Sequence, residues 1–237
     1  MVAVLFPLYT LAHFTLLIWV LRVWRAHRSP GALIVATLAA GLTYDNCIIS
    51  IGSSIGQGLL LETLSWPRFS LHALITPFMI VAVRRVVATA GFPEFENMAW
   101  RIGTWMVTVA MIAYGVRFSL YGLQLQPACF DGVLRYTSSA SPAQFCSPEQ
   151  VSLPSHGPPV PSIVADFFVI VLGGWLWKRT GWPWLFAGGI AMLIAASVPT
   201  AVYGLAASNF GEVLLTASFV ATIARFPERA SAMVTSK

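Results

Sequence analysis

Four carboxyls, Asp45, Glu62, Asp166 and Glu212, lie within or beside long apolar stretches, together with the guanidiniums of Arg68 and Arg117 and the imidazole of His72. His13 lies in another such stretch. A carboxylate at bilayer depth is unfavourable by roughly 3 kcal/mol on insertion scales. Each group therefore needs a partner, a proton or a water-filled cavity. A protonated carboxyl in an apolar cavity is a general acid, and a carboxylate beside it is a base. The expected chemistry is proton transfer, with Asp45 as donor or base and Glu212 as its counterpart. Asn46, Glu62, Arg68, His72, Arg117, Tyr121 and Asp166 are the expected substrate-binding groups.

Spacing supports a common site. Arg68, His72 and Thr76 recur every four residues and so share one helix face. Tyr114, Arg117 and Tyr121 do the same, as do Ser162 with Asp166, and Asn209 with Glu212 and Thr216. Narrow polar stripes on apolar helices are expected to face a bundle interior rather than lipid. The competing reading of the cluster is a buried ion-pair network that only orients helices.

The elements that must position these groups follow from composition. The chain is 57% hydrophobic and 10% charged, and its mean hydropathy is +0.75. A soluble domain is about 25% charged. The chain has too little polar surface to coat a globule of 237 residues. The expected fold is all-α, one integral membrane bundle of seven transmembrane helices. The spans are expected at about 5–23, 32–55, 68–83, 100–120, 161–177, 184–206 and 209–224, with one long loop at 124–160. The third is expected to begin at a bend at Trp66-Pro67, after an interfacial apolar segment.

Basic residues set the orientation. Alternate connections hold Arg22, Arg25 and Arg28, then Arg84, Arg85 and Arg101, then Lys178 and Arg179, then Arg225, Arg229 and Lys237. The opposite side holds only Arg68, Arg117 and Arg135. The positive-inside rule then places the N-terminus out and the C-terminus in, in a plasma membrane or endomembrane. Tryptophans near span ends fit an aromatic belt. On this topology Asp45 lies about 20 Å up from the inner side. Arg68, His72, Arg117, Asp166 and Glu212 fall in the same outer half. Cys129 and Cys146 share the outer loop and are expected to form a disulfide, while Cys47 is expected to pack.

Other motifs weigh less. Gly52-Ser53-Ser54-Ile55-Gly56 matches the serine-nucleophile pattern, but that motif needs a strand-to-helix turn. At the end of a membrane helix, small residues at a close contact are the better reading. No H-x-x-x-H or C-x-x-C pair supports a metal, and no cofactor is expected. His27 and His156 are expected in solvated loops. Although the pI is near 9.4, no cluster of five basic residues occurs, so nucleic acid is not an expected partner. The expected partners are the lipid bilayer and a hydrophobic small-molecule substrate.

Seven spans and this length are similar to microbial rhodopsins, which carry retinal on a lysine of the seventh helix. Residues 209–224 contain no lysine, so that likeness stops at architecture. Size, span count and isolated intramembrane acids resemble the membrane-bound terpene cyclases of meroterpenoid pathways. That resemblance, one of architecture, implies acids that protonate an olefin or epoxide. The expected function is an enzyme acting on a lipid or isoprenoid in an outward-facing polar pocket. The alternatives are a non-catalytic binder, a transporter, or an accessory subunit whose polar stripes bind a partner subunit in the membrane.

Overall fold

The computed structural model describes residues 2–153 and 159–227. His156, Arg229 and Lys237 lie outside the described residues. The structure is mostly helical, and six helical segments are long and apolar enough to cross a bilayer: Val2–His27, Pro30–Ile55, Leu59–Thr89, Met98–Leu120, Val160–Thr180 and Ala206–Arg225. This is a multi-pass membrane architecture. A seventh apolar helix, Trp184–Ser197, has 14 residues. At 1.5 Å per residue it spans about 21 Å, less than the hydrocarbon thickness. Pro199 follows its end, and a short turn of helix at Thr200–Tyr203 carries the chain on.

In chain order the helices are α1 (Leu5–His27), α2 (Pro30–Ile55), α3 (Leu59–Leu74), α4 (Met79–Thr89), α5 (Met98–Gly115), α6 (Val160–Thr180), α7 (Trp184–Ser197), α8 (Thr200–Tyr203) and α9 (Ala206–Arg225). Ser29 caps α2 by accepting from the Ala32 amide, with Pro30 at the first helical position. Asn97 caps α5 by accepting from the Trp100 amide. One apolar core of α1, α2, α4, α6, α7 and α9 side chains, among them Val20, Val35, Ile80, Val169, Leu176 and Val220, fills the end of the bundle nearer Arg84.

The third segment departs from expectation. Helix runs through Pro67 from Leu59, and the break falls at Thr76–Phe78, a 3-10 turn holding Pro77. Pro67 has no N–H for the Thr63 carbonyl. The Tyr44 hydroxyl donates to the adjacent Leu64 carbonyl at 2.8 Å, which gives that weakened turn an outside donor. Pro77 likewise frees the Ala73 carbonyl, and α5 packs onto it where Gly115 has no side chain.

The long loop also holds structure that was not foreseen. Gln126–Phe130 (β1) and Val133–Thr137 (β2) pair antiparallel across an Asp131-Gly132 turn. Both turn residues have positive φ, 44° and 81°, as a two-residue hairpin of this kind requires. Cys129 of β1 is bonded to Cys146, as the sequence led one to expect. The hairpin docks on the end of α2 through Ser53. Its hydroxyl donates to the Gly132 carbonyl at 2.7 Å and accepts from the Leu134 amide at 2.9 Å. A Cβ on Gly52 would collide with the Leu134 carbonyl oxygen. The Gly-Ser-Ser-Ile-Gly stretch is thus a close helix–hairpin contact. The Val2 amide donates to Asp131, so the N-terminus lies on the hairpin side.

Candidate functional site

The apolar faces of α2, α3, α6, α7 and α9 do not close at the hairpin end of the bundle. A cavity of about 380 Å³ remains, lined mostly by aliphatic side chains. Asp45, Arg68, His72, Asp166 and Glu212 all reach it from four different helices. Thr76, Ser162 and Thr216 line it too, so three of the four predicted stripes turn inward as helical phase requires. Ile163 and Leu193, each 48% exposed, also line it, so the cavity reaches the outer face of the bundle between α6 and α7.

The carboxyls have different surroundings. Asp45 is buried, and Arg68 donates from Nε to its Oδ1 at 2.8 Å. His72 Nε2 is 4.0 Å from the same oxygen, with its side chain 39% exposed toward the cavity. Arg68 also donates from Nη1 to the Tyr136 carbonyl of β2 at 3.2 Å. Asp45 is therefore engaged in holding a guanidinium that itself holds the hairpin. Asp166 Oδ1 and Glu212 Oε2 are buried and have no hydrogen-bond partner among the described residues. Burying a polar atom without a partner is unfavourable by about 1–3 kcal/mol, so such atoms ask for a function or a ligand. Asp166 faces α7 where that helix is thinnest: a Cβ on Gly189 would lie 3.4 Å from Oδ1.

The remaining expected residues fall elsewhere. Asn46 is wholly buried and turns away from the cavity toward α9, accepting from Asn209 Nδ2 at 2.9 Å and donating to the Leu42 carbonyl. Adjacent helical residues point about 100° apart, so Asp45 and Asn46 cannot both face one pocket. Glu62 sits in the first turn of α3, two turns from Arg68, and does not line the cavity. Arg117 and Tyr121 do not line it either. Past Gly115 the helix widens into a π turn at Val116–Leu120, which rotates this fourth stripe outward. Arg117 stacks on Phe118 and Tyr121 at 5.3 and 5.4 Å, and Tyr121 is 74% exposed. His13, buried in α1, bonds through Nδ1 to the Tyr9 carbonyl. Among the described residues no group of three His, Cys, Asp or Glu is placed to hold a metal.

A second, smaller cavity of about 180 Å³ lies between the hairpin and the ends of α3 and α9. It shares Asp45, Arg68, His72, Ser208 and Glu212 with the first, so the two form one continuous site. Its new charged member is Arg135 of β2, which is 7% exposed. The Arg135 side chain makes no hydrogen bond or ion pair with any described residue. Burial, and then the Arg68 charge, push its guanidinium down to about 9, against the pull of Asp45. Sequence reasoning treated Arg135 only as an outer-side base. The signal that would have found it is the Asp-Gly turn, which sets a hairpin register and pairs Arg135 with Ala128.

Compared with protein-family models, curated proteins and solved structures, the chain has no match in any of the three.

Proposed function

We propose that the chain is a seven-span membrane enzyme that performs acid–base chemistry on a hydrophobic lipid or isoprenoid. In this reading the N-terminus and hairpin face outward and the C-terminus inward, with α7 and α8 completing a short sixth crossing. Basic residues in the connections opposite the hairpin support that orientation. The observation that carries the function is the pair of carboxyls, Asp166 and Glu212, each with a buried unpartnered oxygen, on one apolar cavity that reaches the bundle surface. Proton-transfer groups without internal partners, in a site that excludes bulk water, are the equipment of a general acid and a general base.

The roles divide by environment. Glu212 and Asp166 exchange protons with the substrate. Asp45, already bonded to Arg68, positions that guanidinium and His72 at the polar end. The aliphatic lining takes the hydrocarbon.

The test is incubation of purified protein in nanodiscs with an isoprenoid lipid extract in D2O. Protonation at carbon leaves deuterium in the product, read by mass spectrometry. Wild-type protein should label at least one lipid, and Glu212→Gln should lose the label. A lipid that copurifies in the cavity yet returns unlabelled from wild type would overturn the enzymatic reading.

A further inference from the structure

Most of the polar groups around the two cavities are spoken for. Asp45 neutralises Arg68, Asn46 and Asn209 bond each other, and Thr137 donates to the Ser139 carbonyl. Glu212 lines both cavities, but its Oε2 has no partner, and no ion pair joins Glu212 to either guanidinium among the described residues. Arg135 is the group left over: more than nine-tenths buried, charged, facing a cavity, and with a guanidinium bonded to nothing described. Once the Arg68–Asp45 pair is counted as neutral and Glu212, which lines the same cavity, as the protonated general acid, Arg135 leaves this end of the site with one uncompensated positive charge. A buried charge without a counterion is strongly unfavourable. The compensation missing from the protein is an anion.

We propose that Arg135 and Arg68, with His72 beside them, receive the anionic head of an amphiphile whose hydrocarbon lies in the larger cavity. This rests on the reading of that cavity as a lipid site and names the class of lipid: one ending in a phosphate or carboxylate. Two guanidiniums offer forked donors that match the oxygens of either group, and a bond between charged partners is about twice as strong as a neutral one. Arg68 brings its Nη2 and the second N–H of Nη1, while Nε stays on Asp45 and Nη1 on the Tyr136 carbonyl. The Phe69 ring, 5.8 Å from the Arg68 guanidinium carbon, backs the same wall. Arg135 rides on a hairpin fixed by the Cys129–Cys146 bond and by Ser53, so the receptor is held in place before the ligand arrives.

The test compares dodecyl phosphate, dodecanoate, dodecanol and inorganic phosphate on purified wild-type protein in detergent, by calorimetry with thermal shift as a second reading. Dodecyl phosphate should bind at least tenfold more tightly than dodecanol, and dodecanoate should also exceed the alcohol. Arg135→Gln should remove that preference and leave dodecanol binding unchanged, while Arg135→Lys should keep part of it. Equal affinity for phosphate and alcohol in wild type would overturn the anion receptor but leave the lipid cavity standing. Absence of dodecanol binding together with absence of dodecyl phosphate binding would overturn the cavity reading as well. Inorganic phosphate binding as tightly as dodecyl phosphate would overturn the amphiphile in favour of a free anion. Should Arg135→Gln fail to fold, the wild-type comparison decides alone.

Discussion

Two buried arginines sit at opposite ends of this bundle, and they are treated differently. Arg84, 1% exposed, forms an ion pair from Nη1 to Glu96 at 3.0 Å and donates from Nη1 to the Phe95 carbonyl at 2.7 Å, so it ties the turn after α4 back onto the core. The guanidinium of Arg135, a residue 7% exposed, faces a cavity and bonds to no described acceptor. Residue type and burial are nearly the same. What separates them is the bonding inventory, and that inventory distinguishes a brace from a receptor. The wider contrast follows the same line. Around Arg84 the rings of Phe92 and Phe95 pack on Trp175 at 4.4 and 4.9 Å, and aliphatic core fills the helices behind them. At the hairpin end the helices part around two cavities.

The largest expected effect sharpens the paired side of this comparison. Asp45→Ala leaves Arg68 buried without its counterion and should destabilise the protein by about 3–5 kcal/mol, read by unfolding in detergent. Replacing both partners, as Asp45→Leu with Arg68→Met, should recover most of that loss, because two apolar groups remove the charge as well as its partner. Next comes the Cys129–Cys146 bond, whose partners are 17 residues apart. Cys129→Ser should lower stability by about 3 kcal/mol from loop-closure entropy alone, and should loosen the hairpin that carries Arg135.

The arginines themselves give the next pair. Arg84→Met should destabilise by about 2 kcal/mol, lessened because Glu96 remains partly solvated, and should leave dodecyl phosphate binding alone. Arg135→Gln should do the reverse, leaving thermal stability unchanged or raised. If Arg84→Met abolished ligand binding, or Arg135→Gln unfolded the protein, the brace-and-receptor contrast would be wrong.

A pH series tests the same group without mutation. The Arg135 guanidinium titrates near 9 in the folded protein against about 12.5 when solvated. Above pH 9 the unfolded chain therefore binds more protons than the folded one, and stability should rise with pH through that window. Anion affinity should fall through the same window as the charge is lost. Slopes of the same sign would assign the titration to another residue. The smallest effect belongs to Ser53→Ala, which removes two hydrogen bonds for about 1 kcal/mol and should speed exchange of the Leu134 amide.

Much of the bundle was legible because apolar runs answer to physics that acts locally. Helical phase placed His72, Asp166 and Glu212 on inward faces, and the structure brings their side chains to one cavity. It failed for Arg117 because a π turn adds a residue to the repeat, and nothing in the local sequence announces one. It failed for Pro67 because a donor from a neighbouring helix, the Tyr44 hydroxyl, supports the turn that this proline weakens. Arg135 was missed for a different reason. Its burial comes from a hairpin folding back 80 residues onto α2, a contact that depends on tertiary structure although the Asp-Gly turn was in plain view.

The opening between α6 and α7, marked by half-exposed Ile163 and Leu193, bears on how any ligand reaches the site. A molecule entering there comes sideways out of the hydrocarbon, where an apolar solute is concentrated far above its level in water. Occupancy then follows the ligand's mole fraction in the membrane. Diluting the sample with lipid-free buffer should barely change it, whereas adding empty vesicles should strip the site.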